Sequence, residues 1–152
     1  MAERHVPRRG EYAWFFAVTT RWVDNDVYGH VNNAHHYSFF DSAINAYLIA
    51  EGGLDIRRGP VVGYVVSSAC DYFAPVSYPG GLEVGLRVDR VGTSSVQYGV
   101  ALFAAGDERA RAAGTMVHVF VDRGTSKATA IPAPVRRAVE KVAAGVGRPA
   151  AR

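Results

Sequence analysis

The first patterned stretch runs from Glu11 to Val23, where Tyr12, Trp14, Phe15, Phe16, Val18, Thr19, Thr20 and Trp22 bring aromatic and β-branched side chains together. Such residues suit a pleated, half-buried backbone, so the stretch reads as a strand. Asp24-Asn25-Asp26 and Gly29 then break it with turn residues. The period changes next. Tyr37, Phe40, Ile44, Tyr47 and Leu48 recur at helical spacing, with Ser38, Asp41, Ser42 and Asn45 between them. Ala34, Ala43, Ala46 and Ala50 raise helix propensity. Asn32 or Asn33 can cap the start, and Gly52-Gly53 ends the run. The apolar stripe is wide, which predicts a well-buried helix wrapped by a sheet.

Beyond the helix the chain reads as strands. Pro60 to Pro75 is one long candidate, rich in Val and Tyr. Leu82–Val91 alternates through Leu82, Val84, Leu86 and Val88, and Val96–Ala105 and Arg109–Val121 follow after Gly-containing turns. Long strands joined by short turns predict an antiparallel meander. Pro132 and Pro134 precede a short amphipathic helix over Val135–Ala144. The expected class is α+β: a core over residues 11–132, a C-terminal helix over 133–145, and flexible ends at 1–10 and 146–152.

Composition narrows the partners. A chain of 152 residues suits one domain with one core. The net charge is +3, and much of the excess sits at the ends, in Arg4, Arg8, Arg9, Arg136, Arg137, Lys141, Arg148 and Arg152. A nucleic-acid binder would place its charge along one groove or helix, so none is expected here. A mildly basic surface does suit a small polyanion. Cys70 is the one cysteine, so no intrachain disulfide forms, and it reads as a core filler. No run approaches the roughly 18 apolar residues of a spanning helix, and no signal peptide is evident, so no membrane partner and a cytoplasmic location are expected.

The chemistry is concentrated between the first strand and the helix. Residues Arg21 to Asn33 hold two carboxylates, an imidazole, amides and a glycine. A helix N-terminus offers unpaired N–H groups and a positive dipole end, which stabilise a developing oxyanion. A nearby carboxylate can activate water or attack a carbonyl. Residue types alone nonetheless favour a cap and a turn over catalysis.

Trp22-x-Asp24-x-Asp26-x-x-Gly29-His30-Val31-Asn32-Asn33 closely resembles the opening motif of the 4-hydroxybenzoyl-CoA thioesterase-like hotdog family. The resemblance extends over about residues 11–132 and implies a long helix wrapped by a curved antiparallel sheet. It also implies paired subunits, a homodimer or homotetramer, with active sites at their interface. It makes Asp26 the catalytic carboxylate of an acyl-CoA or acyl carrier protein thioesterase. The Asn33 backbone N–H would polarise the thioester carbonyl. Gly29 would let the backbone approach the substrate, and Asp24 and His30 would shape the loop. Asn32, His36 and Tyr64 become candidates for substrate contact, as do Arg90, Thr93 and Ser94 at a strand turn near the CoA arm. The chain departs from the family at His36, commonly Tyr, and at Ile44, where an arginine is frequent.

Other constellations point less sharply. His30, His35 and His36 with Asp24 and Asp26 match no zinc spacing, so neither metal nor cofactor is expected. His118 reads as a hydrogen-bonded interior residue. No Gly-x-Ser-x-Gly, phosphate loop or dinucleotide motif is present. Two alternatives stay open: a hotdog enoyl-thioester hydratase or dehydratase using His36 near Asp41, and a non-catalytic acyl-thioester binding module.

Overall fold

The computed structural model describes residues 3–145. Strand β1 (Trp14–Thr19) leads through a short 3-10 turn (Trp22–Asp24) to helix α1 (Asn33–Ala50). Strands β2 (Val61–Tyr72), β3 (Gly81–Val91), β4 (Ser95–Ala104) and β5 (Ala112–Asp122) follow, then helix α2 (Ala133–Ala144). The strands form one antiparallel sheet in the order β1-β3-β4-β5-β2. The expected meander is β3-β4-β5, flanked by β1 and β2. The sheet wraps α1 in the hotdog arrangement. Bulges between Val65 and Ser67 and between Val88 and Arg90 accompany its bending.

Packing explains why α1 belongs inside. Phe39, Phe40, Ala43, Ile44, Tyr47 and Leu48 are buried with Val84, Leu86, Val96, Tyr98, Val100 and Leu102 of the sheet. The expected stripe differs at one position. Tyr37 is only half buried, while His36 and Phe39 are buried beside it. α1 is apolar on most sides, so its sequence does not say which flank turns to the sheet. The helix packs chiefly on β1, β3 and β4. α2 closes the next side with Val135, Ala138, Val139 and Val142, and the Tyr47 hydroxyl donates to the Ala138 carbonyl at 2.7 Å.

The outer face of the sheet has its own small core: Tyr12, Ala101, Phe103, Ala110 and Ala113, with Phe15 and Phe73 against it. The N-terminal segment covers it. Contrary to the expected loose arm, residues 7–11 are tied down. Ala110 donates to the Pro7 carbonyl, Arg9 to the Glu108 carbonyl, and Arg8 bridges Arg109. The Arg9 guanidinium lies 5.4 Å from the Phe15 ring centre and 5.0 Å from that of Phe103, and it pairs with Glu83. Gly85 makes room, since a Cβ there would stand 2.9 Å from the Tyr12 ring. The expected flexible tail, 146–152, lies outside the described residues.

Candidate active site

The loop before α1 is held by short-range bonds. Asp24 is fully buried, and both carboxylate oxygens accept hydrogen bonds from Arg21: its backbone N–H at 2.7 Å and its guanidinium at 2.7 and 3.1 Å. Burial pushes the Asp24 carboxyl up, but the Arg21 hydrogen bonds and charge outweigh it and hold it below the usual carboxylate range. The Asp24 carbonyl in turn accepts the Asn32 N–H at 2.9 Å, fixing the distance between turn and helix. Asp26 and His30 close the tip, with the Asp26 N–H donating to the His30 carbonyl. Gly29 sits at φ +81°, where a side chain is strained. Nothing lies within 4 Å of where its Cβ would stand. The backbone angle, not a close neighbour, accounts for the glycine.

Asn32 links this loop to the helix. Its side-chain oxygen accepts the Ala34 N–H at 3.0 Å, capping α1, and its amide nitrogen donates to Asp26 Oδ2 at 3.2 Å. Asp26 Oδ1 accepts the Tyr28 N–H at 2.9 Å. One residue on, the Asn33 N–H has no acceptor among the described residues. It is the first amide of an 18-residue helix and stands at the positive end of its dipole.

A pocket of about 360 Å³ opens beside this amide. Its lining includes His30, Asn33 and His36 from the loop and α1, and Tyr72, Phe73 and Val76 from the end of β2 and beyond. The Tyr72 hydroxyl donates to the Asn33 carbonyl at 3.0 Å, and its ring meets that of His36 edge to face at 5.0 Å. Burial pushes the Tyr72 phenol up to about 12, so it keeps its proton. Burial also holds His36 below the ordinary histidine range. The His36 ring bonds the Asn32 carbonyl at 3.3 Å, and the Asp41 carboxylate accepts from Asn45. No His36–Asp41 pair is formed among the described residues. Asp26 does not line the pocket; its carboxylate accepts from the Asn32 amide and the Tyr28 N–H.

The remaining candidates lie elsewhere in the chain. Tyr64, at the start of β2, lines a separate pocket of about 280 Å³ with Asn45, Gly63 and Arg123. Arg90, Thr93 and Ser94 sit at the β3–β4 turn. Arg136 of α2 holds that turn by donating to the Gly92 and Thr93 carbonyls. The first pocket lies at the other end of the sheet, beyond the ten residues of β4, or roughly 30 Å. Sequence reasoning placed Tyr72 and Phe73 in the core ahead of an acyl pocket and missed Val76, because only the folded sheet brings the end of β2 to the start of α1. His118 is interior as expected, at 1% exposure, but it is not hydrogen-bonded. Neither ring nitrogen, nor the hydroxyl of neighbouring Tyr98, has a partner among the described residues. Such buried groups cost roughly 1–3 kcal/mol each when left unsatisfied. No three His, Cys, Asp or Glu side chains gather as a metal site among the described residues.

Comparison with known proteins gives this geometry a context. The chain is similar to the PA5185 protein of Pseudomonas aeruginosa PAO1, at 56% identity over 91% of this chain and 96% of that one, with a TM-score of 0.90. It is similar to a Thermus thermophilus thioesterase solved with coenzyme A and zinc, at 26% identity, 88% and 96% coverage, and a TM-score of 0.73. A 1,4-dihydroxy-2-naphthoyl-CoA thioesterase from Synechocystis shares the fold at 18% identity, 84% and 96% coverage, and a TM-score of 0.75. No curated protein matches by sequence. The model of the thioesterase-like superfamily matches residues 18–139, and the chain belongs to that superfamily.

Proposed function

We propose that this protein hydrolyses acyl-CoA thioesters, with Asp26 as base or nucleophile and the Asn33 N–H as the donor to the thioester oxygen. One observation carries the reading. The Asp26 carboxylate is bonded to Asn32, the residue that caps α1, and the next residue, Asn33, lines a pocket and carries a helix-terminal amide with no acceptor among the described residues. The thioester carbonyl, seated against the Asn33 amide, gains stabilisation as negative charge develops on its oxygen. Asp26 takes a proton from water, which attacks the carbonyl carbon. Alternatively, the carboxylate attacks directly and water cleaves the resulting anhydride. In both routes the C–S bond breaks, the thiolate of CoA leaves, and a free acid remains. The coenzyme A bound to the Thermus thermophilus relative supports CoA as the carrier. The cytoplasm remains the proposed location.

A second copy completes the proposed site. Among the described residues β2 pairs only with β5, and it exposes Tyr64, Val65 and Val66. A long apolar edge recruits another strand, and pairing with the same edge of a second chain gives a homodimer. The β3–β4 turn, distant within one chain, is then available to the neighbour's CoA arm through Arg90, Thr93 and Ser94. Thiol release from an acyl-CoA panel, with Asp26→Asn as control, tests the reaction. Hydration of an enoyl-CoA without thiol release would favour the hydratase reading, and tight binding without turnover the binding module. Wild-type thiol release by Asp26→Asn would remove Asp26 from its role.

A further inference from the structure

The first turn of α1 puts two groups of the first pocket on one face. Asn33 and His36 both line it, three residues apart on the helix, which makes them neighbours on its surface. A helical side chain leans back over the preceding turn. The His36 ring does so, and its Nδ1 lies 3.3 Å from the Asn32 carbonyl oxygen. A carbonyl only accepts, so Nδ1 carries the hydrogen and donates it. In the neutral ring Nε2 then holds a lone pair and no hydrogen.

That nitrogen has no partner among the described residues, although the residue is only 4% exposed. It is nonetheless open to the pocket. Among the described residues, the buried side-chain polar atoms that are both unbonded and sealed from solvent are the Tyr98 hydroxyl and the two His118 nitrogens; His36 Nε2 is not one of them. His36 therefore presents an unused acceptor to the space beside the Asn33 amide. Its surroundings keep the ring neutral. Burial opposes the imidazolium and, with His35 of the same helix, outweighs the pull of the Asn32 and Asn33 carbonyls. The positive end of the helix dipole acts in the same sense as burial. The loop brings His30 to the same pocket. Tyr72 of β2 meets the ring, with Cys70 beside it, and both keep their protons because burial raises them. No carboxylate of the described residues draws a proton onto the ring.

We infer that His36 is a second catalytic residue, whose Nε2 accepts a hydrogen bond from the attacking water and holds it beside a thioester carbonyl seated at Asn33. The inference rests on the thioesterase reading above and adds the place of the water, in either of its two routes. The carbonyl oxygen takes the donor at Asn33, and the water takes the acceptor almost one helical turn on. Water has two hydrogens, so His36 holds one while the other stays available to Asp26. A reactant held in place meets a lower barrier than one that must be found. Where the family commonly has Tyr, this chain thus carries an acceptor that acid removes.

The test follows thiol release across pH for wild type, His36→Phe and His36→Gln, with an acyl-CoA that wild type hydrolyses. His36→Phe fills the buried space and accepts nothing, so kcat should fall about tenfold with KM unchanged. An imidazolium donates and cannot accept. Wild-type kcat should therefore drop as pH falls below the ordinary histidine value, before any carboxylate titrates. That step should be missing from both variants. His36→Gln offers an amide oxygen near the place of Nε2, and should recover most of the lost rate without the step. Should His36→Phe unfold early, His36→Gln carries the test through its rate and its pH profile. A wild type that releases no thiol from any acyl-CoA sinks the thioesterase reading and the inference together. A wild-type kcat in His36→Phe, a histidine-range step that persists in His36→Gln, or a loss confined to KM overturns the inference alone.

Discussion

The two flanks of α1 are built to opposite rules. Toward β1, β3 and β4 the helix buries Phe40, Ala43, Ile44 and Leu48 completely, against the buried inward residues of β3 and β4 and the half-buried ones of β1. Toward β2 it shows Tyr37, Asp41 and Asn45, half exposed, opposite strand residues that remain open to solvent. The first flank holds the fold together. The second borders both pockets and begins at the Asn33 amide, which has no acceptor among the described residues. The difference teaches that one helix can be the core of a domain along one stripe and the wall of a binding cleft along the next. The polar residues between its apolar positions then mark the cleft and not merely the surface.

Substitutions can break this contrast. The largest effect is expected at the loop that leads into α1, without loss of structure: Asp26→Asn should lower kcat by about 10²–10⁴-fold while leaving the thermal midpoint near wild type, as read by thiol release and calorimetry. Phe40→Ala should do the reverse. It should cost about 3–5 kcal/mol of stability in denaturant unfolding, because Phe40 is wholly buried on the closed flank. Asp24→Asn, at the junction, weakens the Arg21 bonds and should cost about 1–2 kcal/mol. The sign of its pH dependence is fixed. A carboxyl lowered by folding contributes its stability above its unfolded value and loses it as pH falls through the lower, folded one. Wild type should therefore lose stability through and below the ordinary carboxylate range more steeply than Asp24→Asn, as followed by unfolding curves across acid pH. Asn32→Ala should cost about 1 kcal/mol through the lost cap, with a drop in kcat because Asp26 loses a donor.

Much of this was legible in the residues. Alternation in Leu82–Val91 and helical spacing after Asn33 come from contacts each element makes with one neighbour, so the pattern survives in the sequence. The Asp26–Asn33 loop was legible for the same reason, since its hydrogen bonds span two to six residues. The flank choice of α1 was not. Phe39, Phe40, Tyr47, Leu48 and Ile49 leave few polar markers, and the sheet alone decides that Tyr37 turns toward β2. The docked N-terminal segment was equally hidden. Its basic residues resemble a solvated tail, yet Arg9 settles over Phe15 and Phe103, rings that come together only when β1, β3 and β4 are assembled.

That docked segment has a practical consequence. A protease trimming the chain back past Glu11 would strip the cover from Phe15 and Phe103 while leaving the helix, the cleft and the loop untouched. The shortened molecule would keep its chemistry but gain a sticky back, and clumping, not inactivity, would be the first sign of damage.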